Sequence, residues 1–353
     1  MKTITVICGG RGASTIIPSL IETYKVNAIV NAYDDGRSTG LVRHVLNILG
    51  PSDIRKVQEL GMPENSTTEI KKLMAARVPF TCIDDLATHV TSLCKTTNLH
   101  RWGMIAVNEI KLRTEIAGVA LALDDSISIA NLVYAGCILD SGNRISIAAQ
   151  KMGIELSTII NVVPSSDDVL WLAAVSEDGK EYPDEASIVE ERSVYRIREL
   201  ILHNDISFYK QKGASKLCSI RPYLSWQAID AIVTSDLVVI APGTVHSSIY
   251  PTLMHQGLEP LLENKPLVII TNASADVDTP NYTAEDYVRT ITKKYRCVGK
   301  PTVAVCASDG ETVIDVTRIS HWCDEVIKLP LLVEGKHRGQ TVARIIEQIL
   351  DQI

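Results

Sequence analysis

The chain has 353 residues, 46% of them hydrophobic and 22% charged, with a formal net charge of −7. That balance provides for a sizeable core and excludes general disorder, and the acidic surface argues against nucleic acid as a principal partner. No stretch approaches the roughly 18 consecutive apolar residues of a spanning helix, so nothing asks for a membrane and the expectation is a soluble cytoplasmic protein.

The opening run Ile4 to Cys8 reads as a buried first strand, since it is too short for a signal-peptide core and leads into glycines instead of a cleavage site. Further Val/Ile-rich runs follow at Ala28 to Tyr33, Ser157 to Val163, Leu237 to Ala241, Leu267 to Thr271 and Val303 to Cys306. Alternating with longer helical patterns, they suit strands buried on both faces, hence an α/β, Rossmann-like, mainly parallel sheet with helices on both faces. The first helix is expected to end within Glu22 to Val26, directly before the second strand. Between Lys56 and Asp125 the pattern turns helical, with segments around Thr68 to Ala76 and Ile83 to Cys94, and reads as a helical insertion. The Asp178-Gly179 pair within Leu170 to Glu190 signals a β-hairpin flap. No repeat or long linker interrupts the chain, so one domain over residues 1–353 is expected. The eight cysteines include no close Cys-x-x-Cys pair, and His321 and Cys323 lack partners at zinc-site spacing.

Three segments carry chemistry. Gly9-Gly10-Arg11-Gly12-Ala13-Ser14-Thr15 stands between the first strand and a helix. There glycine lets the backbone approach a phosphate, free N–H groups and the helix dipole favour an anion, and Ser14 and Thr15 add hydroxyls. Asp34-Asp35-Gly36-Arg37-Ser38-Thr39-Gly40 follows the second strand. Its adjacent carboxylates can hold Mg²⁺ or activate a hydroxyl, with Arg37 and Ser38 in a second anion loop, unless one Asp merely caps a helix. Asp53, in Pro51-Ser52-Asp53-Ile54-Arg55, either caps the next helix or faces the same cleft as a further Mg²⁺ ligand. The third segment runs from a strand into Pro242-Gly243-Thr244-Val245-His246-Ser247-Ser248, repeating the logic of the first turn, so Gly243, Thr244, Ser247 and Ser248 are expected to grip the other side of one phosphorylated ligand. His246, as a lone histidine, reads first as polar filling. Asn131, inside the apolar run Ser128 to Gly136, either ties a loop internally or reads a base or sugar edge.

In order and spacing these segments resemble the 2-phospho-L-lactate transferase and gluconeogenesis-factor family. Its pattern runs G-G-T-G-x-S, D-D-G-G-S-S-G, P-G-D-I-R, G-N-L and G-P-G-S-x-Y-T-S-I-x-P, matched here at Gly9 to Ser14, Asp34 to Gly40, Pro51 to Arg55, Ala130 to Leu132 and Ala241 to Pro251. Arg11, Arg37, Ala130, Ala241 and His246 depart from it. The resemblance implies a Rossmann-like homodimer with one nucleotide cleft and two functional branches. One transfers a phosphorylated small acid from a nucleoside-diphosphate-linked donor to a hydroxyl, with Mg²⁺ and release of the nucleoside monophosphate; the other binds a UDP-sugar and regulates metabolism. The enzyme is the leading expectation, with Asp34 and Asp35 catalytic. A dinucleotide oxidoreductase is the weaker alternative, because Thr15 stands where its fingerprint needs a last glycine.

Overall fold

The computed structural model describes residues 1–79, 82–117, 127–191, 194–205, 217–263, 265–274, 276–295 and 301–352. Its centre is a seven-stranded sheet. Numbered within that sheet, the strands are β1 (Thr3–Cys8), β2 (Lys25–Val30), β3 (Asn161–Pro164), β4 (Leu237–Ile240), β5 (Leu267–Ile270), β6 (Thr302–Ala307) and β7 (Glu325–Leu329). They lie in the order β7-β6-β5-β4-β1-β2-β3, every neighbouring pair parallel. Strand order reverses between β1 and β4, so the carboxyl ends of these two strands mark the point where open α/β sheets have their ligand crevice.

The strands form because runs such as Thr-Ile-Thr-Val-Ile-Cys are β-branched and buried on both faces. Ile4, Val6 and Cys8 enter the core on one face, and Ile7, Ile29 and Val163 the core on the other. One polar layer crosses the sheet. Thr5 Oγ1 donates to the Ala231 carbonyl at 2.7 Å and Asn161 Nδ2 to Asn27 Oδ1 at 2.8 Å, so these polar groups are paired.

Several boundaries differ from the sequence expectation. The first helix, α1, is Gly10–Leu20, and β2 already begins at Lys25. Register explains the shift: β1 ends at Cys8 opposite Val30, so the apolar stretch from Asn31 to Tyr33 has no β1 residue to pair with. Strand β7 went unrecognised because it is an edge strand with Glu325 and Lys328 exposed, which breaks the apolar run.

Helix α2 (Arg37–Leu46) and helix α3 (Ser52–Leu60) follow β2. The insertion then continues through helices Thr68–Ala75, Ile83–Leu93 and Thr97–Ala117, and residues 80–81 and 118–125 of the expected region lie outside the described residues. Helix α4 (Ile129–Asp140) returns under it, with Gly136 so close to Trp102 that a Cβ would lie 1.7 Å from the Trp102 carbonyl oxygen.

The hairpin is shorter than expected. Strands Trp171–Ser176 and Glu181–Tyr182 pair antiparallel around Gly179, whose φ of +85° suits glycine, but Glu185–Glu190 is a helix started by an Asp184–Ser187 capping box. A third strand, Ile197–His203, completes this small sheet. No helix among the described residues is long and apolar enough to cross a membrane.

Candidate functional site

The turn after β1 is packed on three sides. A Cβ on Gly12 would lie 1.6 Å from the Pro242 carbonyl oxygen, one on Gly9 2.6 Å from Ser248 Cβ, and one on Gly10 2.5 Å from Asp53 Oδ1 and 2.7 Å from Lys56 Cδ. Glycine is thus demanded here by the meeting of the turns after β1 and β4 and by α3, not solely by a ligand. Helix α1 begins without a side-chain cap, leaving its first amides to other partners. Ser14 is exposed, and the Thr15 hydroxyl returns to the Gly12 carbonyl at 2.9 Å. The side chains of Arg11, Arg37 and Ser38 lie outside the described residues; their backbones occupy the first turns of α1 and α2.

The two adjacent carboxylates have different partners. Asp35 is buried, and its Oδ1 accepts the Ala186 N–H at 3.0 Å, while the Glu185 carboxyl accepts the Asp35 N–H. This reciprocal clamp fastens the acidic loop to the start of helix Glu185–Glu190. Asp34 is half-buried, accepts the Gly36 N–H at 3.3 Å and feels the charges of Asp53 and Lys56. Asp53 does not cap α3; its Oδ1 takes Lys56 Nζ at 2.8 Å, the i,i+3 pair facing α1.

Electrostatics follow from this crowding. Burial first, then the Asp53 charge, raises the Asp34 carboxyl above its ordinary value, against the pull of Lys56, the Gly36 N–H and Arg43. Glu185 is raised well above the carboxylate range by burial and by Asp34, Asp35 and Asp53. Burial opposes charge on Lys56, but Asp53 and Asp34 outweigh it and its pKa rises. Among the described residues no three His, Cys, Asp or Glu side chains gather closely enough to enclose a metal ion. The hard-oxygen donors Asp34 and Asp53 nevertheless suit Mg²⁺, which commonly takes one or two carboxylates and completes its shell with waters and substrate phosphates.

The turn after β4 is largely occupied by the chain itself. Gly243, at φ +152°, is clamped by Asn272, which accepts its N–H at 2.7 Å and donates to its carbonyl at 2.9 Å. The following Val245–Ile249 segment is a π-helix, and the Asp278 carboxylate takes the N–H groups of His246 at 2.8 Å and Ser247 at 3.0 Å. The amide of Ser247, a residue expected to grip phosphate, is therefore given to an internal carboxylate, together with that of His246. Thr244 and Ser248 share a hydroxyl contact of 2.7 Å, with Ser248 against Gly9, while Asn31 Nδ2 donates to the Ser248 carbonyl at 2.6 Å. His246 contacts the Tyr282 hydroxyl at 3.1 Å, and burial lowers its pKa to about 4, so it is neutral at pH 7.

Burial, with Asp276 adding, raises Asp278 to about 7, despite the amides that favour its anion. The folded carboxyl thus keeps its proton from about pH 4, the ordinary value, to about pH 7. Its contribution to stability is full below pH 4 and is lost as pH rises through 7. Urea denaturation of wild type and Asp278→Asn at pH 5 and pH 7 should show wild type losing about 2 kcal/mol relative to the variant; parallel curves would contradict the assignment.

Asn131 is buried, its Oδ1 taking Arg55 Nε at 2.9 Å and its Nδ2 reaching Thr39 Oγ1 at 3.2 Å, so it ties α4 to α3 and α2. Asp34, Asp53 and the turn after β1 do converge at the crevice, with Ser248 beside them. Lys56 and Glu185 escaped the sequence reading, while Asp278 lies in a segment, Thr271 to Tyr287, that also resembles the family but marks no role for it. Lys56 left a signal through its spacing of three from Asp53 on a predicted helix.

The model of the family described as "2-phospho-L-lactate transferase CofD" matches residues 4–321. A protein named gluconeogenesis factor from Listeria innocua is 26% identical over 337 residues, covering 92% of this chain and 85% of that protein. Its namesake from Bacillus subtilis is 25% identical over 310 residues, covering 87% and 79%. In fold, the chain is similar to a crystal structure of a UPF0052 family member from Bacillus halodurans, with a TM-score of 0.71 at 20% identity over 98% of both chains. The family match spans most of the sequence, and the chain belongs to the 2-phospho-L-lactate transferase CofD family.

Proposed function

We propose that this chain is a transferase that moves a phosphorylated small-acid group from a nucleoside-diphosphate-linked donor to an acceptor hydroxyl. The observation that carries the reading is the convergence of Asp34, Asp53 and Lys56 on the uncapped start of α1 in the crevice between β1 and β4. Amides of α1 and the Lys56 ammonium would hold the donor's diphosphate, two stabilisers of negative charge that need no reorganisation during reaction. Asp34 and Asp53 would hold Mg²⁺, which when bound supplies charge neutralisation. Asp35 is committed to the clamp with helix Glu185–Glu190, leaving Asp34 to orient the acceptor hydroxyl. The acceptor oxygen then attacks the phosphorus bearing the acid, the P–O bond to the nucleoside monophosphate breaks, and the hydroxyl proton leaves towards Asp34 or solvent.

A second reading is the family's other branch, a UDP-sugar-binding regulator without transfer, and it is kept because the relatives bear the name gluconeogenesis factor and not that of a transferase. Calorimetry with GDP, GTP, UDP, UDP-sugars and CDP, each with and without Mg²⁺, separates the two. The transferase reading expects one nucleoside diphosphate to bind in a Mg²⁺-dependent manner, at least tenfold more weakly in Asp34→Asn. Selective UDP-sugar binding indifferent to metal supports the regulator, and no binding at all defeats the nucleotide cleft.

A further inference from the structure

The chain places a carboxylate of its own at both turns that face the crevice, and the two are held differently. Asp278 is buried and hydrogen-bonded to the amides it covers, a permanent cap. Asp53 lies against the first residue of α1, its Oδ1 only 2.5 Å from where a Gly10 Cβ would stand, and its side chain is tied to Lys56, whose own side chain is 35% exposed. Lys56 also packs on Gly10, with Cδ 2.7 Å from the same Cβ position, so acid and ammonium share the place where an anion would meet the start of α1.

We propose that Asp53 is an internal competitor at the phosphate cradle, and that Lys56 exchanges the Asp53 carboxylate for a ligand phosphate when the cradle fills. This rests on the nucleotide-diphosphate reading above and deepens it, since it makes the site weak for bare anions and strong for anions that arrive with a divalent cation. The physical reason is charge. A phosphate entering without a cation meets Asp53 a few ångströms away and must take Lys56 from it, while a divalent cation between phosphate and Asp53 turns that repulsion into attraction. Coupling of this kind keeps the cleft from being filled by free inorganic phosphate.

The test is calorimetric binding of inorganic pyrophosphate to the full chain, with and without Mg²⁺. Without metal, Asp53→Asn should bind at least fivefold more tightly than wild type, and Asp53→Asn combined with Lys56→Gln should lose that gain. With Mg²⁺, wild type should gain tenfold or more and Asp53→Asn much less. Thermal melts of the unliganded variants check that each is folded, and Asp53→Glu serves as a folded acid-retaining comparison, expected to bind metal-free pyrophosphate no more tightly than wild type. If Asp53→Asn or the folded comparison shows no dependence on the charge at position 53 while wild type binds Mg²⁺-pyrophosphate normally, the competitor idea is overturned and the phosphate cleft stands. If no variant binds pyrophosphate under either condition, the cleft itself is misassigned and the competitor falls with it.

Discussion

Gly12→Ala should cost about 3 kcal/mol or more, the upper range of overpacking, and should weaken nucleotide binding at least tenfold. The new methyl would lie 1.6 Å from the Pro242 carbonyl oxygen and 2.6 Å from its carbon, both backbone atoms. Neither side can give way cheaply. Ala241 N–H is bonded to the Ile7 carbonyl at 3.0 Å, Gly243 is clamped by Asn272, and Gly12 sits in the first turn of α1. Relief requires the turns after β1 and β4 to part, which is the crevice itself. Gly179→Ala is the contrast: its φ is +85° with open space around it, so only left-handed strain of about 1 kcal/mol applies. Chemical denaturation of both variants decides the matter, and equal small losses would show that the two turns are not pressed together as described.

That contact also shows where sequence reading stops. The glycines of the first turn are visible in the sequence, and their number argues for phosphate. Their packing cause is not visible, because Gly12 and Pro242 are distant in sequence and meet only through the adjacency of β1 and β4. The parallel strands were legible because burial on both faces leaves an uninterrupted Val/Ile run, whereas β7, charged at an exposed edge, was not. At the site, Asp34, Asp35 and Asp53 stand out as acids in short motifs, but the division of labour between Asp34 and Asp35 depends on Ala186, 151 residues further along the chain. Likewise Asp278 reaches His246 and Ser247 from another loop, so nothing local marks those amides as already taken.

Arg43→Met should be the most damaging substitution away from the crevice, at about 3–5 kcal/mol. Arg43 is fully buried, on the face of α2 shared by Thr39, Val42 and Leu46, a position where helical periodicity calls for an apolar residue. Its guanidinium donates to the carbonyls of Ile48 at 3.1 Å and Tyr33 at 2.8 Å and to that of Leu170, and lies 4.1 Å over the Trp171 ring, on which His44 also stacks. Methionine fills comparable volume but strips these carbonyls of a donor inside the protein, where an unmet acceptor carries its full desolvation cost. Arg43→Lys keeps the charge yet cannot span three carbonyls from one planar fork, so it should recover only part of the loss. The functional consequence follows from position. Tyr33 directly precedes Asp34, and Leu170 precedes the strand Trp171–Ser176, so Arg43 fixes the acidic loop to the small sheet while the Asp35–Glu185 clamp fixes it to helix Glu185–Glu190. In folded Arg43→Lys, Mg²⁺-dependent nucleotide affinity should therefore fall by more than thermal stability alone would account for, tenfold or so at a temperature well below its melt. Unchanged affinity in that variant would show that the clamp through Glu185 positions Asp34 unaided.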